Sequence, residues 1–80
     1  MNERIDIDDV KYIIGSVMEY AYEAREDAIK DPDSFEKGRK QAYYEVLNTI
    51  YNRLYICEQD PKDFGYSEDW ERKFLSNEKL

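Results

Sequence analysis

The fold of this 80-residue chain is decided by residues 7–30, which read IDDVKYIIGSVMEYAYEAREDAIK. Apolar side chains recur there at alternating spacings of three and four residues, which is the pattern of a single helix face. They are Ile7, Val10, Ile14, Val17, Ala21, Ala24 and Ala28, and Ile13, Met18 and Tyr20 flank them. Asp6 or Asp8 can cap the first turn. We therefore predict an amphipathic helix from about residue 7 to about residue 30, with a coiled-coil-like seam.

A second helical pattern follows after a short break at Asp31-Pro32-Asp33. Either Asp31 before Pro32, or Asp33 with Glu36 three residues later, can cap its start. Its apolar residues are Phe35, Ala42, Tyr43, Val46, Leu47, Ile50, Leu54 and Cys57. We predict a helix over about residues 33–58. Because a connection of about two to four residues joins neighbouring helices, the two should form an antiparallel hairpin.

The last segment contains a third, shorter pattern. Ser67 can cap a helix in which Trp70 and Phe74 share a face. We expect a short helix over about residues 68–76 that folds back over the open end of the hairpin. The chain is then one small all-α domain spanning residues 1–80.

The distribution of side-chain size suggests how the two long helices pack. Late in the first helix stand Ala21, Ala24 and Ala28, and early in the second stand Gly38 and Ala42. We expect these small residues to face each other near the turn, where the helices approach closely. Gly15 could mark another close contact, and Cys57 should be buried as a small hydrophobe at the end of the apolar stripe.

The composition excludes several kinds of chemistry. The chain has no histidine, so it cannot form a Ser-His-Asp triad, a Cys-His pair or a histidine metal site. No nucleophile stands beside a base, and no phosphate-binding loop is present. We expect no enzyme activity, cofactor, metal or small-molecule substrate. A single cysteine fits a reducing compartment, which predicts a cytoplasmic protein.

The charge argues against binding to nucleic acids or membranes. The chain has 19 acidic and 12 basic residues, a net charge of −7. Direct nucleic-acid binding requires a basic patch, and residues 1–31 hold nine acids against four bases. No run of about 18 apolar residues could span a membrane, and the first residues do not resemble a signal peptide.

A chain of this length buries little core, so its stability should need a partner. The second helix carries Tyr44, Tyr51 and Tyr55 on one stripe with Asn48, and tyrosine is common at protein interfaces. We predict that this stripe, with Trp70, forms an interface, most simply a homodimer that makes a four-helix bundle. The alternative is that these rings pack beneath the third helix.

Two functional hypotheses follow from these features. The first is a non-enzymatic interaction module that binds itself or another protein through the tyrosine stripe. The second is an acidic inhibitor, of the type carried by phages or mobile elements, that occupies the nucleic-acid groove of an enzyme. Its carboxylates would then replace phosphates. The candidates are Asp8, Asp9, Glu19, Glu23 and Glu26. The alternative is that these acidic residues bind no partner and only form a solvated face of the helix.

Overall fold

The structure, a computed structural model, describes residues 5–76. Its elements are α1 (Ile7–Lys30), α2 (Ser34–Ile56), a 3-10 turn (Pro61–Phe64) and α3 (Trp70–Leu75). The described residues form no strand, and α1 packs along α2. The predicted all-α hairpin with a short third helix is therefore confirmed. α2 ends two residues earlier than predicted, and α3 begins two residues later.

Aspartate side chains fix the start of both long helices. The carboxylate of Asp6 accepts a hydrogen bond from the backbone N–H of Asp9 at 3.0 Å. Asp33 accepts one from the backbone N–H of Glu36 at 2.8 Å. Each bond satisfies a donor that the helix itself leaves free. The caps are thus Asp6 rather than Asp8, and Asp33 rather than Asp31.

α3 lies along one face of the hairpin, and the prediction that it covers the open end is wrong. The ring of Phe74 is 5.4 Å from that of Tyr22 on α1 and 6.5 Å from that of Tyr44 on α2. The aromatic side chains of α3 therefore occupy the groove between the two long helices. The 3-10 turn contacts both helices at the open end and buries Phe64 there.

The packing of α1 on α2 also differs from the prediction. The three alanines of α1 are buried, but Gly38 and Ala42 of α2 are exposed. Tyr43 and Leu47 take part in the core instead, because small residues on α1 leave room for larger ones on α2.

Two further expectations about single residues are wrong. Cys57 is exposed, because α2 ends at Ile56 and the chain turns away at Glu58, whose φ is 61°. Gly15 marks no close contact, since a Cβ there would meet nothing within 4 Å.

The guanidinium of Arg25 is fully buried and caps the C-terminal end of α3. Its Nε donates to the carbonyl oxygens of Lys73 and Phe74, both at 3.1 Å. Nη2 donates to the carbonyl of Ser76 at 2.8 Å, and Nη1 to the carboxylate of Glu26 at 3.0 Å. The last carbonyls of a helix lack partners within it and carry partial negative charge. A cation on α1 therefore holds the end of α3.

Tyr66 anchors the other end of this C-terminal segment. Its hydroxyl donates to the carbonyl oxygen of Leu47, in the middle of α2, at 2.6 Å. Burial raises the pKa of Tyr66 far above the usual value for tyrosine. Gly65 makes the approach possible, since it adopts a φ of 100° that other residues rarely adopt. Arg25 and Tyr66 together fix α3 in the groove.

Replacing Arg25 by methionine should lower the free energy of unfolding by about 3 kcal/mol. The change leaves buried carbonyls without donors while keeping most of the apolar volume. Arg72→Met is the control, because Arg72 is exposed and forms only a surface ion pair with Asp69, so its loss should stay below about 0.5 kcal/mol. Urea denaturation followed by circular dichroism measures both. Equal losses would show that Arg25 is not a cap.

The glycines should respond to alanine in opposite directions. Gly38→Ala should raise the free energy of unfolding by about 0.5–1 kcal/mol, because Gly38 lies inside α2 with open space around it. Gly65→Ala should lower it by about 1 kcal/mol, since alanine is strained at this positive φ. Thermal denaturation of both variants tests this, and a stabilised Gly65→Ala would contradict the assigned turn.

Tyr66→Phe should cost about 1 kcal/mol at neutral pH, because the hydroxyl bond to Leu47 is lost. It should also flatten the loss of stability in alkali. Above a pH of about 10, tyrosines in the unfolded chain lose their protons, whereas Tyr66 in the folded chain keeps its proton. Each further pH unit therefore lowers the free energy of unfolding by about 1.4 kcal/mol.

The measurement is urea denaturation between pH 7 and pH 11. Tyr55→Phe serves as the control for loss of a tyrosine hydroxyl, because Tyr55 is exposed and its replacement should leave the stability at neutral pH unchanged. If the free energy of unfolding of Tyr66→Phe fell with pH as steeply as that of the wild type, the raised pKa of Tyr66 would be contradicted.

Candidate protein-binding surface

The tyrosine stripe of α2 lies mostly under α3. Trp70 is only 5% exposed, and its ring is 5.9 Å from that of Tyr44 and 5.7 Å from that of Tyr51. Asn48 is half-buried between them, whereas Tyr55 is 73% exposed. The rings of Tyr44 and Tyr51 thus pack beneath the third helix, as the alternative predicted. An interface role for the stripe stays a prediction, and a partner could reach Trp70 only if α3 moved.

Polar groups around this cluster find acceptors within the fold. The hydroxyl of Tyr44 donates to the carboxylate of Glu71 at 2.6 Å, which raises the pKa of Tyr44. At the start of α3, Asp69 pairs with Arg72 at 2.6 Å and with Lys73 at 3.5 Å, three and four residues further along the chain. The bond between Tyr44 and Glu71 holds α3 to α2 along its exposed edge, whereas the Asp69 pairs lie within the α3 segment.

The side of α3 borders a cleft of about 530 Å³. Its lining includes the amides of Asn48 and Asn52, the ring of Tyr51 and the carboxylates of Glu68 and Asp69. Such groups could hydrogen-bond to a small polar molecule, but they include no nucleophile. Within residues 5–76, no group of three or more His, Cys, Asp or Glu side chains could hold a metal ion.

The acidic residues of α1 lie on its outer side. Asp8, Asp9, Glu19 and Glu23 are exposed, and none of them forms an ion pair with another residue in the described range 5–76. Glu26 is different, because it is half-buried and accepts a hydrogen bond from Arg25. Four of the five predicted carboxylates are therefore free to meet solvent or a partner.

A second apolar surface lies on the side of the hairpin away from α3. Ile13 and Tyr20 of α1 are 53% and 59% exposed, and Val46 of α2 is 44% exposed. Beside them are three half-buried residues that pack on the core with one side. We call the six residues together the open face: Ile13, Val17, Tyr20, Tyr43, Val46 and Ile50.

An ion pair shows that these two stripes adjoin. Arg39 of α2 donates to the carboxylate of Asp27 on α1 at 2.9 Å. Asp27 follows Tyr20 by seven residues, and Arg39 precedes Val46 by seven, so each charge continues the apolar stripe of its own helix. Arg25 and Tyr22, which contact α3, project from a different side of α1.

The residues of the open face belong to the apolar patterns of the sequence, but their spacing does not show that they remain exposed. Ile13 and Tyr20 flank the predicted seam, and Val46 stands within the apolar pattern of α2. A broad apolar stripe has two edges, and the spacing does not tell which edge a third element will cover. No helix among residues 5–76 is sufficiently long and apolar to cross a membrane.

Comparison with known proteins adds no relative from which a function could be transferred. No family model, curated protein or solved structure matches the chain.

Proposed function

We propose that this chain is a non-enzymatic protein-interaction module that docks through its open face. The observation that carries the proposal is the position of α3. It covers one face of the hairpin and leaves apolar side chains of both long helices exposed on the other. Contiguous apolar surface that the fold leaves uncovered is typical of interaction sites.

The dimensions of the face suit a protein partner. A helix of 24 residues is about 36 Å long, and two neighbouring helices are about 20 Å across. The whole side of the hairpin that carries the open face therefore measures about 700 Å², close to the ~800 Å² that each partner buries in a standard interface, and the open face is its apolar centre. Tyrosines contribute to it beside aliphatic residues, a composition that favours protein contacts.

The acidic side of α1 supports a second candidate function. Asp8, Asp9, Glu19 and Glu23 offer carboxylates that make no ion pair within residues 5–76. An inhibitor that imitates nucleic acid would use these groups against a basic groove, and its affinity would fall steeply with salt. This candidate needs Glu19 and Glu23, whereas apolar contact at the open face gives neither carboxylate a partner.

Ile13→Glu should abolish docking, because it places a charge in the apolar face. Tyr12→Glu is the matched control, since Tyr12 is its exposed neighbour on α1 and projects about 100° away. The purified chain is immobilised and exposed to soluble host proteins and to a second preparation of itself. We expect each retained protein to fall at least about tenfold for Ile13→Glu and to stay unchanged for Tyr12→Glu.

Two results would contradict the proposal. One is that the wild type retains no more than an unrelated acidic helical protein does. The other is that retention survives Ile13→Glu but is lost in a Glu19→Gln, Glu23→Gln double variant, which would favour the acidic inhibitor. Circular dichroism confirms that each variant is folded.

A further inference from the structure

We infer that the occupant of the open face is a second copy of this chain, with a twofold axis that runs parallel to the helices. The inference rests on the proposed function, because it names the partner of the same face. The open faces of the two copies then contact each other, and α1 of one copy lies on α2 of the other. The four long helices form the core layers, and each α3 lies outside.

Charges at the rims of the face indicate this arrangement. On the α1 rim, Asp9 and Glu23 are exposed and form no ion pair within residues 5–76. On the α2 rim, Arg53 is exposed, and its side chain makes no hydrogen bond or ion pair in that same range. The face therefore has an unpaired acidic rim on one helix and an unpaired base on the other.

Two symmetric ways of stacking the faces can be compared by their charges. An axis across the helices places α1 on α1, so that Asp9 and Glu23 approach acids of the other copy. An axis along the helices places α1 on α2, so that Asp9 approaches Arg53. Opposite charges attract and like charges repel at an interface. The second arrangement is therefore favoured.

The register of the hairpin supports the same arrangement. Asp27 and Arg39 are bonded across the two helices, and Tyr22 and Tyr44 both contact Phe74. Because the helices are antiparallel, each residue earlier on α1 is level with one residue later on α2. Residue 20 is therefore level with 46, residue 17 with 49 and residue 13 with 53. An axis parallel to the helices keeps these levels between the two copies.

In the dimer, the apolar residues consequently meet each other. Tyr20 of one copy lies level with Val46 of the other, and Val17 lies beside Ile50. Asp9 stands about 6 Å along the axis from the level of Arg53, a span that an arginine side chain can reach. Apolar residues form the centre of the contact, and the charge pairs lie at its ends.

The size of the chain makes this partner reasonable. The molecule is only 18 Å thick along its shortest axis, or about two helix layers. Face-to-face pairing would give each hairpin a helical layer on both sides. A small core commonly gains its missing stability by oligomerisation.

The test is sedimentation equilibrium of the full chain with charge variants. Asp9→Arg and Arg53→Asp should each raise the dimer dissociation constant by about tenfold or more, because each creates two like-charge contacts per dimer. An equimolar mixture of the two variants should recover a constant within about threefold of the wild type, since both contacts again pair opposite charges. Glu19→Arg and Lys37→Asp carry the same charge changes away from the face and should have no effect.

The outcomes separate this inference from the proposed function. A wild type that is monomeric at millimolar concentration overturns the inference, while a different protein lost on Ile13→Glu would still support the proposed function. A dimer that is unaffected by Asp9→Arg, Arg53→Asp and Ile13→Glu also overturns the inference, because it must use another surface. The inference is supported if the mixture of Asp9→Arg and Arg53→Asp regains the dimer dissociation constant of the wild type while each variant alone dimerises more weakly.

Discussion

The buried guanidinium of Arg25 is the contact on which the rest of the structure depends. α3 has only six residues, and a helix of that length is not stable in water without tertiary support. Arg25 supplies donors for the carbonyls of Lys73, Phe74 and Ser76, and Glu26 neutralises part of its charge. Burying an arginine is costly unless such partners are present. The position of α3 therefore depends on a side chain of α1, which acts together with Tyr66.

Once α3 is in place, its own aromatic side chains, Trp70 and Phe74, become internal. Trp70 contacts three tyrosine rings, those of Tyr44, Tyr51 and Tyr66, at centroid distances of 5.2–5.9 Å. Tyrosine suits this position because its ring packs while its hydroxyl reaches an acceptor, as Tyr66 does at Leu47. Two of the three stripe tyrosines that suggested an interface, Tyr44 and Tyr51, thus help to fasten α3.

The same arrangement makes the hairpin asymmetric. One face is closed by α3, and the opposite face keeps exposed apolar residues between an acidic rim on α1 and Arg53 on α2. Because acidic residues lie on one rim of this face and a basic residue on the other, docking orientations that bring like charges together are disfavoured. The exposed acids on the outer side of α1 keep the remaining surface hydrated.

The sequence by itself determined the helices, and the tertiary structure decided what each face does. The bounds of α1, an aspartate cap before α2 and the hairpin follow from spacings and caps within a few residues of each other, which is the range over which helix formation is governed. The contacts of Arg25 with α3 join residues about fifty positions apart, so no local pattern reveals them.

Residue type does not reveal such contacts either, for the same reason. Arginine is usually exposed, but Arg25 is buried because carbonyls of a distant segment accept its hydrogen bonds, and Tyr44 and Tyr51 are half-buried under that same segment. The sequence showed that α2 carries an apolar pattern and a separate stripe of tyrosines. Only the packing of α3 decided that its tyrosine edge would be closed and that its valine and isoleucine edge would remain open.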